Sequence, residues 1–120
     1  MNKDYIATPR RTQEILHTYN FSFKKSLGQN FIIDLNILRN IIEYANIDQS
    51  CNVMEIGPGI GSLTEQIAHY AHKVLAFEID ERLLDVLRET LKDYPHVTIV
   101  HEDFLQVNID EAIATHFESG

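Results

Sequence analysis

Three glycines at alternate positions, Gly57, Gly59 and Gly61, directly after Val53-Met54-Glu55-Ile56, constrain this chain more than any other feature. A short apolar run ending in closely spaced glycines predicts a buried strand that delivers the backbone into a tight turn, because glycine adopts left-handed conformations freely. Further on, Ala76-Phe77-Glu78-Ile79-Asp80 reads as a second strand that ends in acids. Glu78 follows Gly57 by 21 residues, the interval at which a strand-turn-helix-strand unit sets a carboxylate beside the ribose of a nucleotide lying on the turn. Together the two motifs predict a nucleoside site. Taken alone, the glycines are also compatible with a plain strand-to-helix turn.

The spacing selects among nucleoside cofactors. A dinucleotide site uses G-x-G-x-x-G, whose third glycine opens a helix under a pyrophosphate. Here the pattern is G-x-G-x-G, Ser62 stands where that third glycine would be, and Pro58 stiffens the turn. Glu55, two residues before the first glycine, sets a negative charge near the place a pyrophosphate would occupy, which disfavours phosphate and suits a cation. S-adenosylmethionine meets these conditions: it has a ribose, no phosphate, a sulfonium and an ammonium group. A nicotinamide-dependent dehydrogenase is disfavoured on the same grounds.

Periodicity places the remaining elements. Thr8-Pro9 reads as the cap and first position of a helix with Ile15, Leu16 and Tyr19 on its apolar side, and residues 20–33 read as irregular, punctuated by Gly28. Asp34 is expected to cap a second helix on which Ile37, Leu38, Ile41, Ile42 and Ala45 recur at helical spacing. Strands are expected near 52–56, 73–79 and 97–100, with helices from Ser62, after Asp80, and from Asp110. Such alternation predicts an α/β protein with a parallel sheet and ligands at the carboxyl ends of its strands. Three strands are few for a doubly wound sheet, so the chain is expected to be the front of a longer protein: residues 1–33 an amino-terminal helix and lead-in segment, residues 34–120 the first part of the cofactor-binding domain.

Charge is unevenly distributed. The formal net charge is −8, yet residues 1–40 hold six Lys/Arg against three Asp/Glu. Arg10-Arg11 and Lys24-Lys25 are interleaved with Tyr19, Phe21 and Phe23, a composition that serves either RNA phosphates and bases or a solvated face. The single cysteine, Cys51, cannot form an internal disulfide, so a cytoplasmic setting is expected. No histidine or cysteine spacing suggests a metal site, and no apolar run is long enough to span a membrane.

Phe23-Lys24-Lys25-Ser26-Leu27-Gly28-Gln29-Asn30-Phe31-Ile32-Ile33-Asp34 resembles the lead-in segment of ribosomal RNA adenine dimethyltransferases. The resemblance continues through Glu55-Ile56-Gly57-Pro58-Gly59, Phe77-Glu78-Ile79-Asp80 and His101-Glu102-Asp103-Phe104, covering the chain from residue 8 onward. It implies the amino-terminal part of a Rossmann-like class I S-adenosylmethionine-dependent methyltransferase fold. The implied reaction is dimethylation of N6 of two adjacent adenines near the 3′ end of small-subunit (16S) ribosomal RNA, within an immature ribosomal subunit.

The implied roles are specific. Asn30 and Ile32 would close over the cofactor, Gly57 and Gly59 would present backbone to it, Glu78 would accept the ribose hydroxyls, and Asp103 would accept the adenine amino group. Phe31 and Phe104 would either stack on a base or the cofactor, or pack the fold. The large-subunit resistance (Erm) enzymes form a second branch; Pro58 and the long segment before Phe23 favour the small-subunit branch. A non-catalytic RNA-binding assembly factor is a further alternative. The family's catalytic Asn-Leu-Pro-Tyr motif does not occur in these 120 residues, nor does its carboxyl-terminal helical domain, so the chain by itself is expected to be inactive.

Overall fold

Lys73–Phe77 forms β2, the strand around which the fold is arranged, with Val74, Leu75, Ala76 and Phe77 all buried. The computed structural model describes residues 5–20 and 34–118. In it, β2 lies between β1 (Asn52–Ile56) and β3 (Val97–Val100), and both pairings are parallel. The register sets Val53 beside Val74 beside Val97, and Glu55 beside Ala76 beside Ile99. A central parallel strand with an unbroken apolar run fits burial on both faces.

Five helices accompany the sheet among the described residues: α1 (Pro9–Thr18), α2 (Leu35–Tyr44), α3 (Ser62–Tyr70), α4 (Glu81–Thr90) and α5 (Ile109–His116). Four begin at a side chain that caps a backbone N–H: Thr8 for Arg11 at 3.2 Å, Asp34 for Asn36 at 2.9 Å, Asp80 for Arg82 at 2.9 Å and Asn108 for Glu111 at 3.0 Å. Each cap satisfies a donor that the first helical turn leaves unpaired, a contribution of about 1 kcal/mol. α3 instead starts from Gly61, at φ +96°.

The core gathers on the sheet face that carries Val53, Val74, Val97 and Ile99. Ile15 and Leu16 of α1, Ile42 of α2, Ile67 of α3, and Leu83, Val86 and Leu87 of α4 pack there. Full burial of one such side chain contributes roughly 1.5–3 kcal/mol. A buried polar knot holds the amino-terminal stretch onto this core. Glu65 of α3, 3% exposed, accepts the N–H of Ile6 at 2.8 Å and the hydroxyl of Tyr94 at 2.9 Å. Thr12 donates to the carbonyl of the same Ile6 at 2.8 Å. Burial and the Glu65 carboxylate together hold the Tyr94 phenol well above its ordinary range.

Two boundaries and one buried face differ from the sequence expectation. β2 ends at Phe77 and does not reach Ile79, because Asp80 caps α4 and only the Glu78 N–H continues the ladder, to the Val100 carbonyl at 3.0 Å. α5 begins at Ile109 with Asn108 as its cap, one residue before Asp110. On α2 the buried positions are Leu38 and Ile42, while Ile37 and Ile41 are exposed: the apolar stripe is wider than the contact it makes here. No helix among the described residues is long and apolar enough to cross a membrane.

Candidate cofactor-binding site

Each strand ends in a residue singled out from the sequence, and parallel pairing brings these ends to one edge of the sheet. β1 runs into Gly57, β2 into Glu78, and Asp103 follows three residues after β3. Gly57 and Gly59 adopt φ of +66° and +63°, in the left-handed region where a Cβ is strained. A Cβ built on Gly57 would meet nothing within 4 Å, so the loop there faces open space. Gly61 has another role. A Cβ there would lie 3.2 Å from Thr90 Oγ1 and 3.3 Å from both Leu87 and Leu91, so this glycine lets α3 start tight against α4.

The loop's own N–H groups are already engaged. Gly57 N–H donates to the Phe77 carbonyl at 2.8 Å, extending the β1–β2 ladder by one residue. Gly59 N–H donates to Glu78 Oε1 at 3.3 Å, and Asp80 N–H donates to Glu78 Oε2 at 3.0 Å. The glycines therefore supply shape and close approach more than free donors. Glu78 is 4% exposed, its carboxylate held between loop and helix start. Each oxygen takes one N–H and keeps a lone pair, so the group can accept two further hydrogen bonds side by side, the requirement of a vicinal diol.

Asp103 accepts the Leu105 N–H on Oδ1 at 3.0 Å, which starts a short 3-10 turn at Phe104–Gln106. Its other oxygen carries no hydrogen bond among the described residues. Phe104 packs edge-on to Phe77, with ring centroids 5.3 Å apart, so it contributes to the packing of the fold. Two residues that sequence reasoning passed over stand beside the acids: Ile79 is 64% and Leu105 87% exposed. Large apolar side chains exposed next to two carboxylates form a surface suited to the flat faces of a base. Their only sequence signal is adjacency to Glu78 and Asp103.

Glu55 differs from its sequence reading. It shares the helix-covered face with Val53 and takes the Thr64 hydroxyl on Oε1 at 2.5 Å. Burial pushes its pKa up to about 7; the Thr64 hydrogen bond opposes that rise and repulsion from Glu78 adds to it. The full negative charge assumed at this position is therefore only partly present near neutral pH.

Asn30 and Ile32 lie outside the described residues, as do Phe31, Lys24 and Lys25. Arg11 is engaged in an ion pair with Glu14 at 2.5 Å, which reduces its availability to phosphate. Among the described residues, no cluster of three or more His, Cys, Asp or Glu is arranged to hold a metal ion.

Comparison with known proteins gives a consistent pattern. The family profile "Ribosomal RNA adenine dimethylase" matches residues 20–119. The chain is 58% identical over 116 residues to the ribosomal RNA small subunit methyltransferase A of Staphylococcus carnosus, covering 97% of this chain and 39% of that protein. It is 59% identical over 117 residues to the protein of the same name from Staphylococcus aureus strain Newman, covering 98% and 39%. Among solved structures, the 23S rRNA methyltransferase ErmE superposes with a TM-score of 0.62 at 39% identity, over 66% of this chain and 32% of that one. A dimethyladenosine transferase from Plasmodium falciparum gives 0.57 at 30% identity, over 62% and 28%. The fold is that of the Rossmann-like class I methyltransferases, and the chain spans about 39% of the length of the curated relatives it matches.

Proposed function

The chain belongs to the ribosomal RNA adenine dimethylase family, and from that premise we propose that it forms the S-adenosylmethionine-binding front of an enzyme that dimethylates N6 of two adjacent adenines near the 3′ end of small-subunit ribosomal RNA. Residues 1–33 are its helix and lead-in segment; residues 34–120 begin the cofactor domain. The carrying observation is the Glu78 carboxylate, fixed on the Gly59 N–H just after β2, with Asp103 three residues after the neighbouring β3. Identity of 58–59% to small-subunit enzymes over nearly the whole chain favours that branch over the large-subunit one. Immature small subunits are the proposed partner, and the cytoplasm the proposed setting.

The residues present fit the cofactor. Glu78 would hold the two ribose hydroxyls, Asp103 Oδ2 the adenine amino group, and Ile79 and Leu105 the two faces of the adenine ring. Gly57, with open space where a Cβ would point, would let the methionine end lie against the loop. Asn30 and Ile32 would complete the enclosure. When bound, S-adenosylmethionine would supply a methyl group on a positively charged sulfur. Fixing that sulfur in one place is the contribution of these residues, because methyl transfer depends on proximity and in-line orientation. A target adenine inside RNA must also be turned out of its stack to reach a buried methyl.

Calorimetric titration tests the reading on a protein carrying this sequence at the length of its relatives. Saturable binding of S-adenosylmethionine that Glu78→Ala weakens supports it; native protein that binds none overturns it.

A further inference from the structure

Glu55 is a carboxylate two residues before the glycine loop, close enough to Glu78 to feel its charge, and neither the proposed ribose contact nor the proposed adenine contact uses it. Its neighbours define its chemistry. β2 sets Ala76 beside it. From α3 it receives only the Thr64 hydroxyl, since the adjacent Glu65 is turned to Ile6 and Tyr94. From beyond β2, Glu78 acts on it with like charge. The ion pairs formed among the described residues all lie elsewhere, on Glu14, Asp80, Asp85 and Glu89. A half-buried acid with one neutral partner and one like-charged neighbour favours its protonated form, and a positive charge brought near would reverse that preference.

We infer that Glu55 is a specificity-determining residue that reads the charge of the cofactor, holding a proton until a cationic nucleoside lies on the glycine loop and then releasing it to solvent. One positive charge enters the site and one proton leaves, so the buried charge changes little. The consequence is discrimination. S-adenosylmethionine carries the sulfonium charge; S-adenosylhomocysteine, which remains after methyl transfer, is a neutral thioether with the same ribose, base and amino-acid ends. Glu55 then favours the methyl donor over the spent product. The burial that raises the Glu55 pKa to about 7 places this exchange in the neutral range. The inference rests on the proposed cofactor, and its test separates the two.

The experiment is calorimetric titration of the protein, at the length of its relatives, with S-adenosylmethionine and with S-adenosylhomocysteine. Titrations at pH 6 and pH 8, each in two buffers of different ionisation heat, count the protons released. More proton release with the sulfonium ligand than with the thioether is expected at pH 6. The affinity ratio between the two ligands should grow about tenfold from pH 6 to pH 8, since a nearby opposite charge lowers a carboxyl pKa by about one to three units. The sulfonium lowers the pKa of the methyl donor's own amino group, so the titration of each free ligand is measured separately and subtracted from its arm. Glu55→Gln, which keeps an acceptor for Thr64, should leave the ratio flat. Equal proton counts with a flat ratio in native protein overturn the inference, as does a pH-dependent ratio that survives in Glu55→Gln. If that variant does not fold, the native proton count decides alone. Native protein that binds neither ligand removes the cofactor reading and this inference with it; binding without the charge difference removes this inference only.

Discussion

The Glu78 carboxylate and the Gly59 N–H meet at 3.3 Å, tying the end of β2 to the loop that follows β1. This bond spans the sheet edge on which the proposed site is built, and a second one, from Asp80 N–H at 3.0 Å, fixes the other oxygen. The acid is thus oriented by backbone before any ligand contact. Such preorganisation lowers the ordering cost of binding.

Removing it should be felt mainly in affinity. Glu78→Ala is expected to weaken S-adenosylmethionine binding by about 1.5–3 kcal/mol, the scale of hydrogen bonds to a charged group. Calorimetry on native and variant protein measures this, with circular dichroism confirming that the fold is kept. Unchanged affinity would remove Glu78 from the site.

The three glycines should separate by function. Gly61→Ala meets Thr90, Leu87 and Leu91 at 3.2–3.3 Å from a φ of +96°, and is expected to destabilise the fold by about 2–4 kcal/mol. Gly57→Ala meets no atom and carries only the left-handed strain at φ +66°, about 1–2 kcal/mol. Its larger effect should be on ligand affinity, because the new methyl points into the open space before the loop. Urea unfolding and ligand titration of both variants distinguish the two patterns.

Glu55 makes a pH signature. Its pKa rises from 4.5 to about 7 on folding, so the folded state binds more protons than the unfolded one within that window. Stability from this residue is therefore full below pH 4.5 and lost as pH climbs through 7. By linkage the loss amounts to about 3 kcal/mol. Denaturant midpoints of native protein and Glu55→Gln between pH 4.5 and 8 isolate the term: the variant should lack the decline and be the more stable of the two at pH 8.

Much of this architecture is readable from local sequence. Thr8, Asp34 and Asp80 cap helices as their spacing indicates, and Gly57 and Glu78 reach the same sheet edge because strand-turn-helix-strand units bring them there. What escaped local reading depends on distant partners. Glu65 has no flanking signal, for its hydrogen bonds go to Ile6 and Tyr94, 59 and 29 residues away. The raised pKa of Glu55 follows chiefly from its burial, which spacing does not reveal. Ile37 and Ile41 suit a buried helix face by period, yet the described residues leave them exposed.

The 120-residue chain by itself should transfer no methyl group. It contains no Asn-Leu-Pro-Tyr segment, to which the family resemblance assigns the hold on the target amino group. Positioning of that kind can contribute about 7–11 kcal/mol to a barrier, more than cofactor contacts alone replace. Radiolabelled S-adenosylmethionine with unmethylated small subunits gives the readout, and label on adenine would contradict the assignment.

The central claim is that the loop and Glu78 form a site for a sulfonium nucleoside and not for a dinucleotide. Parallel calorimetric titrations with S-adenosylmethionine and with NAD, on a protein carrying this sequence at the length of its relatives, test it most directly. Saturable binding of S-adenosylmethionine with no measurable heat from NAD is the predicted result. Tighter binding of NAD, or no binding of S-adenosylmethionine, would contradict it.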